Sequence, residues 1–372
     1  MNWLRKAEAC DLHLSFSDHS RHDCDVCAGT AALGAVHTGD DDVCDRSDPY
    51  QKAVENRARN EEEQGGPLMI VLAEEKDRQQ VREMWKICFP QEDPGYIDYY
   101  FKSVWDPASC YVVKEDGRIV SSLCRHTHPV MFHGRVLSTS MISGVCTLPS
   151  YQGKGYMHQL MNVTVDACAH SELMTFIRAR DPALYEPFGF RAGMYRTGWM
   201  VQRQDVKRVP SFGCAYDVQA LDMLKVYSAY IRRFSGFYCR DLKDFVRYRN
   251  EIAAQGGKII GYYNGQDRID GYAALTMQGS DLYIDELVYL DSVALAKLLN
   301  ACLQERPRVH FNVSKAENFT PLFPNAKHHD YIGTMVRIND YELFNKLYQS
   351  QASNVKEALA VSRRPLNQNE AF

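Results

Sequence analysis

The sequence predicts an α/β protein with a mixed sheet, arranged as two related domains in tandem behind an acidic, disordered extension. Three observations carry that reading. Residues 136–147 alternate and are rich in β-branched side chains, then pass through Gln152-Gly153-Lys154-Gly155-Tyr156-Met157 into a helical pattern. Just upstream, the runs 111–114 and 118–126 are joined by Glu115-Asp116-Gly117, and Asp-Gly between apolar runs is a hairpin turn. Finally, Asp116-Gly117-Arg118-Ile119-Val120 has a faint echo in Asp267-Arg268-Ile269-Asp270-Gly271, at the same place in the second half.

Composition narrows the class. A chain of 372 residues with 45% apolar side chains can build more than one core. Its formal net charge of −4 points to neither nucleic acid nor an anionic membrane as a partner, and no apolar run reaches transmembrane length. Without a signal-peptide core at the N-terminus, a cytoplasmic location with reduced cysteines is expected.

The elements follow in order. Residues 1–67 hold the clusters Asp40-Asp41-Asp42 and Glu61-Glu62-Glu63 with only Trp3, Phe16 and Tyr50 as aromatics, which predicts a disordered extension. It carries Cys24-Asp25-Val26-Cys27 with Cys10, His13, His19, His22, His37 and Cys44 nearby, a set able to hold zinc, but no second C-x-x-C completes a finger and no metal is expected. A first domain spans 68–203. It opens with a strand at 68–73, a helix at 77–89 with Val81, Met84, Trp85 and Cys88 on one face, and an aromatic helix at 95–104. The hairpin follows, then the strand 136–147, which Pro149 stops, and a helix with its stripe at Met157, Leu160, Met161, Thr164 and Cys168. Residues 174–179 read as a buried strand. A second domain at 204–340 repeats the pattern, with helical stretches between 220 and 254 and strands at 258–263, 268–277 and 282–290. There Asp291-Ser292-Val293-Ala294 replaces the glycine turn. Residues 341–372 are left as a C-terminal tail.

The glycine turn is where chemistry is expected. Gly153 and Gly155 let backbone approach a ligand, and the first N–H groups of the following helix point outward at the positive end of its dipole, which makes a phosphate cradle. A P-loop is excluded because Leu148 stands where its first glycine belongs and Gly155 follows Lys154. A dinucleotide fingerprint is excluded because its last glycine is His158. Lys154 at a helix start is unfavourable by itself, which predicts an anion beside it.

Gln152 and Gly155 in this setting resemble motif A of the GNAT superfamily of N-acetyltransferases, in which Q/R-x-x-G-x-G/A holds the pyrophosphate of acetyl-CoA; Met157 departs from the final position. Leu184-Tyr185-Glu186-Pro187-Phe188-Gly189-Phe190 resembles the Y-x-x-x-G-F ending of the same core. Trp85-Lys86-Ile87-Cys88-Phe89 and the aromatic stretch 96–101 narrow the likeness to bacterial acetyltransferases of the enhanced-intracellular-survival type, whose catalytic domain is followed by a degenerate one. Larger members continue into a sterol-carrier-like domain, for which the residues after Asp340 are too few.

The resemblance implies acetyl-CoA as cosubstrate and direct attack of a primary amine, on a small molecule or a peptide, at the thioester. It implies that Val145, Cys146 and Thr147 line the pantetheine arm and offer an N–H to the thioester oxygen. Gln152, Gly153, Lys154, Gly155, Tyr156 and Met157 would hold the pyrophosphate, and Tyr185 would protonate the departing coenzyme A. The second copy, without the turn, should not bind. The general base is unassigned, since His126 and His128 at alternate positions are as often surface residues. A non-catalytic acyl-CoA-binding or assembly protein is the alternative, and homo-oligomerisation is open.

Overall fold

The apolar alternation of the first half becomes antiparallel strands β1 (Met69–Leu72), β2 (Cys110–Glu115), β3 (Arg118–Phe132) and β4 (Arg135–Thr147), paired in that order in a computed structural model of the chain. The structure describes residues 69–369, so the expectations for the extension and its Cys/His set lie outside the described residues. Between β1 and β2 come α1 (Arg78–Cys88), which buries Val81, Met84 and Trp85, and α2 (Pro94–Ser103). Asp93 caps α2 by accepting from the Gly95 and Tyr96 amides, and Pro94 takes the first helical position, where no N–H is needed. Asp116 and Gly117 both have positive φ, 51° and 77°, as the expected two-residue hairpin demands. β3 runs past the predicted end at residue 126, through Pro129, to a second hairpin at His133-Gly134.

From β4 the chain passes through α3 (Tyr156–Ala169) to β5 (Met174–Ile177), parallel to β4, and on to β6 (Arg191–Gln202). The second half follows as β7 (Cys214–Ala215), α4 (Ala220–Tyr230), β8 (Phe237–Tyr238), α5 (Leu242–Ala254), β9 (Lys258–Tyr263), β10 (Ile269–Gln278), β11 (Asp281–Tyr289), α6 (Ser292–Glu305), β12 (Arg308–Ser314) and β13 (Lys327–Ile338). β11, α6 and β12 repeat the parallel crossover of β4, α3 and β5.

Both halves share one sheet. Its main path runs β1-β2-β3-β4-β5-β13-β6-β12-β11-β10-β9-β7. β13 lies antiparallel between β5 and β6, while β6 lies between β13 and β12, so each half contributes its last strand to the other. The chain boundary near residue 203 therefore does not divide the sheet.

Residues after 340 are integrated rather than trailing. α7 (Tyr341–Tyr348) and α8 (Val355–Ala360) bury Phe344, Val355, Ala358 and Leu359 against Val130, Phe132, Phe176 and Val336. Phe344 is fully buried, worth about 2–3 kcal/mol of apolar transfer. Beyond α8, Ser235 N–H donates to Pro365 O (2.8 Å) and Asn369 Nδ2 donates to Glu286 Oε1 (3.0 Å), tying the last described residues to the second half.

Candidate active site

β4 and β5 pair only along Thr139 to Ile142 and Met174 to Ile177. Past that point β4 bulges: Ser122 faces Cys146 and Cys124 faces Ser143, leaving Gly144 and Val145 together opposite Leu123. Gly144 holds φ +61°, and a Cβ on it would lie 2.1 Å from Trp85 Cζ2, so backbone conformation and space both demand glycine. Trp85 is fixed in turn by stacking on Tyr100, centroids 4.7 Å apart. The parted strands open a cavity of about 510 Å³, walled by Cys88 and Phe89 from the end of α1, Met141 to Val145, Gln152, Arg178, Arg180, Asp181 and Tyr185.

The glycine turn has the expected conformation. Gly153 and Gly155 have φ of +80° and +82°, a Cβ at either would meet nothing within 4 Å, and Gly155 caps α3 with no side-chain acceptor. Met157 packs with Leu160 and Phe188 in the apolar cluster beneath, so its bulk is directed into the core. Lys154 differs from expectation: its anion is internal. Its Nζ reaches Glu115 Oε1 at 3.0 Å and lies 4.8 Å from the Tyr151 ring centroid, while the Tyr156 hydroxyl donates to Glu115 Oε2 at 2.6 Å. The Tyr156 bond, then Lys154, holds the Glu115 carboxyl below the usual range against a slight burial penalty.

Of the three residues expected along the pantetheine arm, Val145 lines the cavity. Cys146 is buried behind it, its thiol 3.5 Å from Ser122 Oγ and its carbonyl accepting from Ser121 Oγ. The Thr147 carbonyl accepts from Gln152 Nε2 (3.3 Å) and from the Cys88 thiol (3.5 Å). Tyr185 sits between two 3-10 turns, Pro182–Leu184 and Glu186–Phe188. Asp181 Oδ1 accepts from Ala183 N–H (3.1 Å) and sets the first turn. The Tyr185 ring packs beside Phe188 and Phe190, and burial pushes its pKa up to about 12, with Cys146 and Asp181 adding to the rise. The hydroxyl is therefore protonated at neutral pH.

His126 and His128 are not surface residues. On β3 their rings stack 6.5 Å apart, and His126 Nε2 is 3.0 Å from the Tyr100 hydroxyl. Desolvation, aided by the charge of Arg247, lowers them to about 4 and about 3, so both are neutral. Neither lines the cavity. Sequence reasoning missed Phe89, Arg178, Arg180 and Asp181; the available signal was two arginines at alternate positions directly after a buried strand. Among the described residues no group of His, Cys, Asp and Glu could hold a metal ion, and no helix is long and apolar enough to cross a membrane.

Two family models for acetyltransferase (GNAT) domains match the chain, one over residues 70–193 and another over 236–338. The chain belongs to the GNAT superfamily of acetyltransferases. Its class is that of the N-acetyltransferases, with two GNAT domains in tandem. Solved structures share the GNAT fold at low identity. A conserved protein from Enterococcus faecalis aligns over 75% of this chain and 74% of its own at 18% identity and a TM-score of 0.64. A GCN5-related N-acetyltransferase from Anabaena variabilis aligns over 74% and 73%, at 18% and 0.61. Eis1 from Mycobacterium abscessus aligns over 75% of each chain, at 12% and 0.57. No curated protein matches the chain significantly. Within this GNAT pair, the bulge, the glycine turn and Tyr185 all belong to the first domain.

Proposed function

We propose that the first GNAT domain binds acetyl-CoA across the gap between β4 and β5 and transfers its acetyl group to a primary amine by direct attack on the thioester. The observation that carries this reading is one cavity whose wall includes the β4 bulge, Gln152 of the glycine turn, and Tyr185. Phosphate oxygens would be met by the uncapped N–H groups at the start of α3, where the helix dipole favours an anion. Val145 would lie along the pantetheine arm. A backbone N–H freed by the bulge would face the thioester oxygen and stabilise it as charge develops.

The bonds then change in a fixed order. The amine nitrogen attacks the thioester carbon, the carbon–sulfur bond breaks, and coenzyme A leaves as a thiolate that takes up a proton. The amine gives up one proton to become the amide. Tyr185, protonated through neutral pH, meets the departing sulfur as an O–H donor. His126 and His128 are too weakly basic to take the amine's proton, so the acceptor enters as the neutral amine.

Release of coenzyme A with a panel of amines tests the activity, and Tyr185→Phe tests the role of the hydroxyl. That change keeps the ring in its packing, so acetyl-CoA affinity should hold while kcat falls on the order of 10²-fold. Equal losses of affinity and turnover would make the tyrosine structural.

A further inference from the structure

We infer that the protein carries a second ligand site, for a phosphate monoester, in a cavity of about 550 Å³ lined by Arg191, Arg337 and Tyr341. The cavity lies where α3, the turn that follows Tyr185, the start of β6, the end of β13 and the first residues of α7 and α8 meet. It shares no lining residue with the acetyl-transfer cavity, so the inference stands apart from the reading of that site.

The two arginines are held by neutral oxygens only. Arg191 Nη1 donates to Glu186 O (2.8 Å) and Phe190 O (2.7 Å). Arg337 Nε donates to Phe188 O (3.0 Å), and its Nη1 donates to Asn339 Oδ1. Among the described residues neither guanidinium has an ion-pair partner, and Nη2 of each is left without an acceptor. The Tyr341 hydroxyl is likewise unpartnered. Burial raises its pKa, and the charges of Arg191 and Arg337 oppose that rise, which sets both guanidiniums near the hydroxyl. No carboxylate lines the cavity. Of the acids just outside it, Asp166 lends its charge to Arg337 without pairing, and the Glu357 carboxylate already accepts from the Ser353 N–H (2.8 Å) and hydroxyl (2.9 Å). A carboxylate is satisfied by one planar fork, whereas N–H and O–H donors arriving from two strands and a helix suit a group with three terminal oxygens and two charges. The remaining lining includes Val165, Pro187, Ile338 and Val355, apolar surface against which the organic part of an ester can pack.

The test titrates the full chain with inorganic phosphate, phenyl phosphate and benzoate at constant ionic strength, followed by isothermal titration calorimetry. Phenyl phosphate should bind at least about tenfold more tightly than benzoate, the scale of one charge-assisted hydrogen bond, and more tightly than inorganic phosphate, which leaves the apolar lining unused. Arg191→Gln and Tyr341→Phe should each weaken phenyl phosphate by about tenfold. Should Arg191→Gln loosen the turn that its side chain holds, Tyr341→Phe still decides, because it removes only a hydroxyl that has no partner; unchanged affinity in that variant overturns the inference. So does benzoate bound as tightly as phenyl phosphate, or no binding of either phosphate up to about 10 mM. Saturating acetyl-CoA should leave the affinity for phenyl phosphate within about twofold of its value without it. Competition by acetyl-CoA that disappears with its dephospho form assigns the arginines to the donor's ribose phosphate and overturns the inference as well.

Discussion

The two GNAT domains contain the same β–α–β crossover, and two details separate them, one at the helix start and one in the gap between the parallel strands. Both helices, α3 and α6, have 14 residues, and both follow a strand that pairs in parallel with the next one over a short stretch only. Both preceding strands are also irregular: β4 bulges at Gly144 and Val145, and β11 has Asp285 out of register opposite Ala274 and Leu275. In the first domain the helix begins at Gly155 with no side-chain cap. In the second, Asp291 Oδ1 accepts from the Val293 and Ala294 amides at 2.9 and 2.8 Å. A carboxylate of the chain takes the place where an external anion would bind. The gap between β11 and β12 is also occupied, since Phe319 packs on Tyr289 and Phe311, and the Tyr289 hydroxyl is held by Glu317. These two differences, a cap and a few aromatic side chains on the same crossover, are why we expect no acetyl-CoA in the second domain.

The most direct way to break the comparison is to give the first domain the cap of the second. Gly155→Asp places a carboxylate at the start of α3; a Cβ there meets nothing within 4 Å, but the φ of +82° strains any L side chain, so the ligand-free variant should be less stable by about 1–2 kcal/mol. Wild type should gain about 2.7 kcal/mol from acetyl-CoA at a hundred times its dissociation constant, and the variant should gain none. Differential scanning fluorimetry reads this directly. A full ligand shift in the variant would show that the donor's phosphates bind elsewhere.

Acid should separate the domains by a second route. β3 carries His126 and His128, and its counterpart β10 has no histidine. His128 is 3% exposed, and burial, then the charges of His126 and Arg247, lowers it to about 3. Below its ordinary value near 6.5 the unfolded chain takes up a proton that the folded one refuses, so stability is whole above pH 6.5 and falls as pH drops toward 3. At pH 5 His128 alone should cost about 2 kcal/mol, and His126 acts in the same direction. One buried acid of the second domain, Glu286, is desolvated, yet Arg240 and hydrogen bonds from Tyr272 and Asn369 hold it low, so its contribution is lost only below about pH 4.5. Amide exchange followed from pH 7 to 5 should show β3 and β4 losing protection before β10 and β11. Simultaneous loss would mean that the shared sheet opens as one unit and that the histidines do not set its acid limit.

What could be read from the chain was local. The strand, turn and helix around Gly153 and Gly155, the Asp116-Gly117 hairpin and the missing turn at Asp291 are each decided by residues within one or two turns of each other. The exchange of β6 and β13 was invisible because strand pairing joins residues more than a hundred positions apart, such as Trp199 with His328. Pro129 hid the second half of β3, since proline cannot donate to a ladder; there its carbonyl instead accepts from Cys239 N–H at 2.8 Å. Arg178 and Arg180 were unremarkable until the end of β5 placed them on the wall with Tyr185. The helix at 341–348 was legible and passed over: Phe344, Leu347 and Tyr348 recur at helical spacing and turn toward Phe132.

The smallest expected effect asks which of the two differences would keep acetyl-CoA out of the second domain. Asp291→Ala removes the acceptor for two amides at an exposed helix start, where water can replace it, so the loss should be that of an ordinary N-cap, about 1 kcal/mol by urea unfolding. The helix should persist, because Leu295, Leu298, Leu299 and Cys302 remain buried against the sheet. Its amides would then be as open as those of α3, but Phe319, Tyr289 and Phe311 would still fill the gap. Isothermal titration with acetyl-CoA should therefore give the same stoichiometry in wild type and variant. A second equivalent bound by Asp291→Ala would mean that the aspartate alone had closed the site and that the aromatic filling yields to ligand; an unchanged stoichiometry means that the aromatic filling is enough to exclude it.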